Sequence, residues 1–219
     1  MTDSTFYGWV GHSTTSPLTY TAYRPKPFDP TGIEIEISHC DICGSDIHTL
    51  RSGWGPTDYP CVVGHEIIGH VTRVGPGVAT FSSPSRHLKV GGRVGIGAQS
   101  DTCRRPECPE CASGLENHCQ QQTGIYGGRF RDGNKSYGGY ASRWRGPASF
   151  AFKLPDSLPS AAAAPLLCAG ITVFSPLVKN GAGPGCDHIT AISRTIAKRA
   201  ETLGGLGADK FIAMDEDKG

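Results

Sequence analysis

The sequence predicts a mainly β body followed by a short α/β segment, and three observations support this prediction. Residues 31–153 contain short runs rich in Val and Ile that are separated by glycine turns, which is typical of a barrel-like all-β body. An Ala-rich stretch then favours helix. Near the C-terminal end, "HITAIS", "RTIAKRAETLG" and "KFIAM" follow one another, and strand, helix and strand in this order indicate a parallel sheet.

Three runs define the β body. The run "GIEIEIS" alternates isoleucines with Glu34, Glu36 and Ser38, so it predicts a half-buried strand with one solvent-facing side. The runs "HEIIGHVTRVG" and "VGGRVGIGA" predict two more strands, each bounded by glycines that suit turns.

Helical signals begin after the β body. In "PDSLPSAAAAPLLCAGITVFSPLVKNG", Pro176 and Gly181 lie where a helix could bend or end. In the helix between the last two strands, three apolar residues share one face and two glycines follow in the position of a C-terminal cap. These five residues are Ile196, Ala200, Leu203, Gly204 and Gly205.

Composition narrows the class of protein. The formal net charge is +1 and no basic block stands out, so neither nucleic acid nor an anionic membrane is an expected partner. The N-terminal residues lack the apolar core of a signal peptide, and the longest mostly apolar run, residues 161–174, is too short to span a bilayer. We therefore expect a cytoplasmic protein, and the nine cysteines then indicate metal binding or catalysis more often than disulfides.

The densest cysteine motif is "CRRPECPECASGLENHC". Its cysteines, separated by four, two and seven residues, are Cys103, Cys108, Cys111 and Cys119. Four thiolates in one loop can close a tetrahedron around Zn²⁺ and leave no open position, which predicts a structural metal site. The alternative is a set of free or disulfide-linked cysteines in a loop.

A second set of metal-binding side chains is dispersed over three motifs, "CDICGSDIH", "VVGHEIIG" and "PLLCAG". The candidates are Cys43, His65, Glu66 and Cys168. Ligands on separate segments are typical of a catalytic metal site. Spacing alone does not show that these residues meet, and without further information a buried cysteine and a hydrogen-bonded core histidine are the more frequent explanation.

Together, "CGSDIH", "VVGHEIIG", the cysteine loop and "AAPLLCAGITVFSPL" resemble the motifs of the zinc-dependent medium-chain alcohol dehydrogenases. More narrowly, they resemble the NADP-dependent cinnamyl alcohol dehydrogenase branch, over nearly all of residues 31–180. The resemblance implies a mainly β GroES-like catalytic domain over residues 1–156. It also implies an incomplete α/β Rossmann-type domain over residues 157–219, made of a connecting helix and one βαβ unit.

The resemblance implies two zinc ions per chain. Cys43, His65, Glu66 and Cys168 match the ligands of the catalytic zinc, and the four-cysteine loop matches a structural zinc site. Cys40 is not a ligand, because the family's thiolate directly precedes G-S-D. The gap of four residues after Cys103 differs from the usual two, and both spacings are compatible with zinc.

Other residues have family counterparts and simpler alternatives. Ser45 and His48 match the family's proton relay, while polar residues at a helix start would also explain "GSDIH". Trp54 either lines the substrate pocket or is a core or turn aromatic.

The resemblance implies NADP(H) as the hydride carrier. Ser193, Arg194 and Lys198 match the family's contacts to the 2′-phosphate, and cations with a hydroxyl at a strand end suit a phosphomonoester. A G-x-G-x-x-G turn between strand and helix is not found, since "GAGPGC" precedes a strand and "LGGLGAD" follows a helix. We therefore expect that the phosphate loop is missing between Gly185 and Ile189, and that the remaining Rossmann strands are absent after Gly219.

Three functions remain open on these observations. The first is an oxidoreductase that transfers hydride between NADP(H) and a small alcohol or aldehyde. The second is a catalytically inactive zinc-binding remnant, for which Ile171, Val173 and Phe174 would lack packing partners. The third is an interaction module that pairs with a longer homologue. Family members are commonly homodimers, mainly through the Rossmann domain, which argues against such pairing here.

Overall fold

The structure, a computed structural model, describes residues 5–80, 88–181 and 188–215. It comprises two compact units, Met1–Thr172 and Val173–Gly219. Among the described residues no single helix is long and apolar enough to cross a membrane. The helical segments Ser160–Leu167 and Ala169–Lys179 meet that test only as a pair, bent by 59° between them.

The bounds of the elements follow in chain order. The strands are β1 (Phe6–Val10), β2 (Thr19–Tyr23), β3 (Gly32–Cys40), β4 (Ile67–Val74), β5 (Arg93–Ile96), β6 (Gln99–Asp101), β7 (Thr123–Gly124), β8 (Arg143–Pro147), β9 (Ala151–Lys153), β10 (Thr190–Ser193) and β11 (Lys210–Ala213). The α-helices are α1 (Gly44–Leu50), α2 (Pro109–Ala112), α3 (Ser160–Ala163), α4 (Ala169–Lys179) and α5 (Arg199–Gly204). Short 3₁₀ turns cover Pro76–Thr80, Glu116–His118, Ala148–Phe150, Ala164–Leu167 and Ile196–Lys198.

An antiparallel sheet of five strands forms the centre of the first unit, in the order β8-β3-β4-β5-β9. Two-stranded pairs, β1 with β2 and β6 with β7, accompany it. The core beneath the sheet contains inward residues of the three strands predicted from the sequence, namely Ile33, Ile35, Ile67, Val71, Val94 and Ile96, together with Trp144 of β8, which was not predicted. The predicted mainly β body is therefore confirmed.

The prediction that Glu34 faces solvent is wrong. Its side chain is buried, because β8 pairs with this part of β3 and Arg145 places its guanidinium 2.7 Å from the Glu34 carboxylate. Arg73 lies 3.5 Å from the same carboxylate oxygen. The next outward residue, Glu36, is exposed as predicted. A charged residue in a strand thus enters the interior where a buried cation can pair with it.

The second unit contains the predicted strand, helix and strand. Strands β10 and β11 are parallel, with Thr190 opposite Lys210 and Ser193 opposite Ala213. The helical segment begins as a 3₁₀ turn at Ile196 and is α-helical only from Arg199, so the predicted helix is shorter than its pattern indicated.

The glycines and the proline predicted to bend or end the helices can be compared with the structure. Gly205 is the C-terminal cap residue of α5 with a right-handed φ, and the left-handed residue is Gly207, at φ 73°. Pro176 lies inside α4, and the helix ends at Lys179 just before Gly181, at φ 72°. Of the predicted break between Gly185 and Ile189, residues 185–187 lie outside the described residues.

Candidate functional site

The four dispersed ligand candidates converge in the first unit. Cys43 is the N-cap residue of α1, His65 and Glu66 directly precede β4, and Cys168 directly precedes α4. One donor atom from each residue lies within 4.8 Å of the others. We refer to these four residues as the dispersed cluster. The fold therefore brings together side chains that are far apart in the sequence.

A buried carboxylate organises two members of this cluster. Asp46 is 1% exposed. Its Oδ1 lies 2.9 Å from Nδ1 of His65 and accepts a 3.0 Å hydrogen bond from the N–H of Gly64. Its Oδ2 accepts hydrogen bonds from the N–H of Cys43 at 2.9 Å and from the hydroxyl of Tyr140 at 2.8 Å. Because Nδ1 of His65 is engaged by Asp46, Nε2 is the nitrogen that could bind a metal.

The hydrogen bonds around Asp46 influence the charge states of Asp46 and His65. Burial opposes ionisation of Asp46, yet hydrogen bonds from His65, Cys43 and Tyr140 lower its pKa to about 2. Burial also opposes protonation of His65, but the hydrogen bond and charge of Asp46 raise the pKa of the imidazole overall. A carboxylate that stays ionised next to the imidazole fixes the orientation of the ring.

The pKa values of the other three members of the dispersed cluster are shifted in different directions. A hydrogen bond from the backbone N–H of Ser45 lowers the pKa of Cys43. Burial raises the pKa of Cys168 to about 11 and raises that of Glu66, whose Oε1 accepts a 3.3 Å hydrogen bond from the N–H of Ala169. Two thiols, an imidazole and a carboxylate on separate segments form a donor set that suits Zn²⁺.

The four cysteines of the loop also converge. Their sulfurs all lie within 4.8 Å of one another, and three pairs are separated by 3.5, 3.6 and 3.9 Å. Zn–S bonds of about 2.3 Å in a tetrahedron place the sulfurs roughly 3.8 Å apart. The backbone N–H of Cys103 lowers the pKa of Cys119 to about 7. The backbone N–H of Cys111 lowers the pKa of Cys108, but the hydrogen bond with Glu110 and burial raise it overall to about 12. It is therefore the separation of the sulfurs that fits a closed zinc site.

The longer gap after Cys103 is absorbed by a local turn. Arg104 adopts a left-handed conformation with φ 48°. Its guanidinium lies 3.2 Å from the carboxylate of Asp101 and donates to Ser149 at 3.0 Å. Arg131 donates to the carbonyl of Cys103 at 3.2 Å. These contacts hold the turn in place. The gap after Cys103, which is two residues longer than usual, therefore does not separate the four sulfurs.

The relay candidates lie on α1. The thiol of Cys43 donates to Oγ of Ser45 over 3.6 Å. His48 is exposed, and its ring stacks on that of Trp54 with centroids 4.8 Å apart and planes 19° apart. Trp54 is 67% exposed, so it is not a core aromatic.

The three candidates for phosphate binding lie in the second unit. Ser193 is the last residue of β10, and its carbonyl accepts a hydrogen bond from Met214 at 2.9 Å. Arg194 and Lys198 are exposed in the turn that leads from β10 into α5. Ser193 thus lies at the carboxyl end of a parallel strand and the other two follow it, where α/β proteins bind their ligands.

Sequence reasoning missed three residues around His65. Asp46 was part of the quoted motif "CGSDIH", so its carboxylate was an available signal. Tyr126, whose hydroxyl lies 3.0 Å from Nδ1 of His65, and Tyr140 had no signal, because neither belongs to a motif. Both tyrosines are far from Asp46 and His65 along the chain, and only the fold shows that they are close in space.

A family profile for the alcohol dehydrogenase GroES-like domain matches residues 29–156. The chain is 46% identical to NADP-dependent alcohol dehydrogenase 6 of Saccharomyces cerevisiae, over 90% of this chain and 58% of that protein. It is 34% identical to a probable cinnamyl alcohol dehydrogenase 6 of Oryza sativa, over 98% of this chain and 64% of that protein. It thus spans about six tenths of the length of these relatives.

Solved structures agree with the sequence matches. A cinnamyl alcohol dehydrogenase from Sorghum bicolor superposes with a TM-score of 0.85 and 31% identity, over 96% of this chain and 64% of that one. CAD from Helicobacter pylori, complexed with NADP(H), gives a TM-score of 0.82 and 26% identity, over 95% of this chain and 64% of that one. The chain therefore belongs to the alcohol dehydrogenase family that has the GroES-like domain, in the branch that contains NADP-dependent and cinnamyl alcohol dehydrogenases.

Proposed function

We propose that this chain is the metal-binding part of an NADP-dependent alcohol dehydrogenase that interconverts a small alcohol and its aldehyde. In the oxidative direction the alcohol carbon gives a hydride to NADP⁺ and the alcohol oxygen loses a proton, so the products are aldehyde, NADPH and H⁺. The observation that carries the proposal is the convergence of the dispersed cluster, whose donor atoms lie within 4.8 Å of one another.

The dispersed cluster would hold the catalytic zinc, and the four-cysteine loop would hold a structural zinc. Bound at the first site, zinc would supply Lewis-acid polarisation of the substrate oxygen. Thiolates from Cys43 and Cys168 balance the charge of a divalent ion, and neutral His65 adds none. The carboxylate of Glu66 would make the occupied site anionic. Glu66 is therefore the member that we expect to be released most easily.

The chain also offers a path for the proton. Ser45 lies beside Cys43, with its Oγ 3.6 Å from the sulfur. His48 lies one turn along α1 and is exposed. Residues three apart share a helix face. We propose that Oγ of Ser45 accepts the alcohol proton while its hydroxyl passes its own proton to the ring of His48, which in turn releases a proton to solvent.

NADP(H) would supply or accept the hydride. Ser193, Arg194 and Lys198 would hold the 2′-phosphate, because a hydroxyl and two cations after a strand end favour a phosphomonoester over a free ribose hydroxyl. The names of the relatives support this choice of cofactor, since NADP-dependent alcohol dehydrogenases from yeast and Mycolicibacterium smegmatis are 46% and 44% identical to the chain.

A second candidate function is metal binding without turnover. It is favoured by one observation in the second unit, where the described residues form a single β–α–β unit with two parallel strands. Dinucleotide-binding folds contain two larger βαβαβ halves. A chain of this kind would keep both metal sites and would bind NADPH poorly.

Fluorescence titration of NADPH into the zinc-loaded chain separates these functions. The enzyme proposal predicts saturable binding in the micromolar range, weaker binding of NADH, and oxidation of NADPH when an aromatic aldehyde is added. Absence of binding at millimolar NADPH would refute the enzyme proposal for this chain and support metal binding without turnover.

A further inference from the structure

The segment that contains His65 is held by a neighbouring segment. Residues 138–140 donate three backbone hydrogen bonds, each 2.8 Å long, to the carbonyls of residues 62–64. Gly64 has φ 101°, and a Cβ at this position would lie 2.6 Å from a ring carbon of Tyr140. This close approach requires glycine directly before His65. The ring of Tyr140 is therefore packed against the backbone that presents the imidazole.

The hydroxyl of Tyr140 also reaches the carboxylate behind His65. It donates a 2.8 Å hydrogen bond to Oδ2 of Asp46, the oxygen that also accepts from the N–H of Cys43. With two donors on each oxygen, the carboxylate of Asp46 has one orientation that satisfies all its partners. Its side chain is almost fully buried, so water has little access to replace a lost donor.

Tyr126 approaches the same group from the other side. Its hydroxyl lies 3.0 Å from Nδ1 of His65. The two rings meet edge to face, with centroids 5.6 Å apart and planes 66° apart. Nδ1 of His65 thus has two oxygen neighbours, from Tyr126 and from Asp46 at 2.9 Å. The ionised carboxylate of Asp46 can only accept, so it keeps the N–H on Nδ1 and the lone pair on Nε2, and the hydroxyl oxygen of Tyr126 lies beside the same N–H.

We propose that Tyr140 and Tyr126 are positioning residues for the metal site of the dispersed cluster. Tyr140 fixes the carboxylate of Asp46, which orients His65 through its ring and Cys43 through its backbone. Tyr126 fixes the ring of His65 directly. Together the two hydroxyls hold two of the four metal-binding residues before the metal arrives, which raises metal affinity because less order has to be imposed on binding.

This inference rests on the proposed function, because it assumes that the dispersed cluster binds a metal. The test is titration of Co²⁺ into the metal-free chain of 219 residues, monitored by the visible absorption of thiolate-bound cobalt. Two transitions are expected, one for each cysteine-containing site. The variant Cys43→Ser removes the transition of the dispersed cluster and so identifies it.

Tyr140→Phe and Tyr126→Phe keep the rings and remove only the hydroxyls. Outer partners of a metal-binding histidine typically change metal affinity by about 10- to 100-fold, so each variant should raise the Kd of the dispersed cluster by about tenfold or more. The transition of the four-cysteine loop should not shift, and it serves as an internal measure of folding in the same unit.

Tyr59→Phe is the matched control. In the wild type the hydroxyl of Tyr59 donates a 2.6 Å hydrogen bond to the carbonyl of Leu50. The variant therefore also loses a partly buried hydrogen bond, but one that involves neither Asp46 nor His65. Its cobalt affinities should equal those of the wild type. An equal loss of affinity in Tyr59→Phe and Tyr140→Phe would overturn the proposal, because the effect would then be general destabilisation.

The two ways of failing are distinguishable. If the wild type shows no transition that Cys43→Ser removes, the metal site itself is refuted, and the proposed function fails with it. If that transition is present but both phenylalanine variants keep the wild-type Kd, only the positioning role is refuted. Should Tyr140→Phe lose both transitions through misfolding, Tyr126→Phe decides the outcome.

Discussion

Oδ1 of Asp46 lies 2.9 Å from Nδ1 of His65, and both side chains are almost fully buried. The contact joins Asp46, in the first turn of α1, to His65, which lies two residues before the start of β4. It gives the imidazole a single orientation and leaves Nε2 directed away from the carboxylate. The geometry of the proposed metal site therefore depends on a residue that is not a ligand.

Replacement of Asp46 by asparagine tests this dependence. The amide has the shape of the carboxylate but no charge, so it holds the Nδ1–H of His65 more weakly. We expect the zinc Kd of the dispersed cluster to rise by about 10- to 100-fold, measured by competition with a coloured chelator. Asp156→Asn, at an exposed position in the same unit, is the control. An unchanged Kd in Asp46→Asn would contradict the orienting role.

The stability of the metal-free chain should fall in acid because of the same residue. The pKa of Asp46 is lowered from 3.8 to about 2, so its contribution is complete above pH 3.8 and is lost as the pH falls through about 2. One pKa unit corresponds to about 1.4 kcal/mol, which makes the contribution on the order of 2 kcal/mol.

Urea unfolding of the metal-free wild type and of Asp46→Asn between pH 5 and pH 2 measures this contribution. The two chains should converge in stability toward the acid end, because the wild-type carboxyl group is then protonated. Parallel curves over the whole range would show that Asp46 is not the titrating group. His65 acts in the opposite sense, since its raised pKa makes its contribution complete below pH 6.5 and lost as the pH rises through the folded value.

The buried ion pair between Glu34 and Arg145 gives a stability prediction. Neutralising Glu34 leaves the guanidinium of Arg145 buried without its closest counter-ion, and breaking such a pair costs about 3 kcal/mol or more. Urea unfolding of Glu34→Gln should show this loss. Glu36→Gln, two residues along the same strand but exposed, should stay within about 0.5 kcal/mol of the wild type. Equal effects of the two substitutions would refute the role of burial.

The four-cysteine loop should make thermal stability depend on metal. Chelator should lower the melting temperature of the wild type, and Cys111→Ser should start near the lower value and respond less, because three sulfurs no longer close the site. Cys40→Ser should respond like the wild type, since Cys40 belongs to neither of the two clusters of metal-binding side chains. A chelator response in Cys111→Ser equal to that of the wild type would exclude the loop as a metal site.

Arg194 should determine which nucleotide binds. Arg194→Ala removes a cation that we place against the 2′-phosphate, and charged hydrogen bonds of this kind are worth about 1.5–3 kcal/mol. NADPH affinity should therefore fall by about tenfold or more, while NADH affinity changes little. Lys210→Ala, exposed on β11, is the control. Equal losses for both nucleotides would show that Arg194 does not read the phosphate.

The sequence alone was sufficient to predict burial and ligand grouping where residues close together in the chain form a regular pattern. Isoleucines at every second position placed Ile33 and Ile35 in the core, and the cysteine spacing placed four sulfurs in one loop. Glu34 was wrongly placed in solvent because its partner, Arg145, lies 111 residues away. Strand periodicity describes which face a residue points to, and only the fold shows whether that face is covered.

The dispersed cluster shows the same division. Residue types and family motifs named Cys43, His65, Glu66 and Cys168, and the fold brings them together. The supporting hydroxyls of Tyr126 and Tyr140 could not be found, since an isolated tyrosine has many ordinary roles. Outer partners are chosen by geometry between distant segments, and no local pattern records that geometry.

The most direct test of the account is the number of zinc ions that each folded chain binds, measured by mass spectrometry under native conditions. We expect two ions in the wild type, one for each cysteine-containing cluster, and one ion in Cys168→Ser. A wild-type chain with a single ion that Cys168→Ser retains would contradict the central claim, because the dispersed cluster would then not be a metal site.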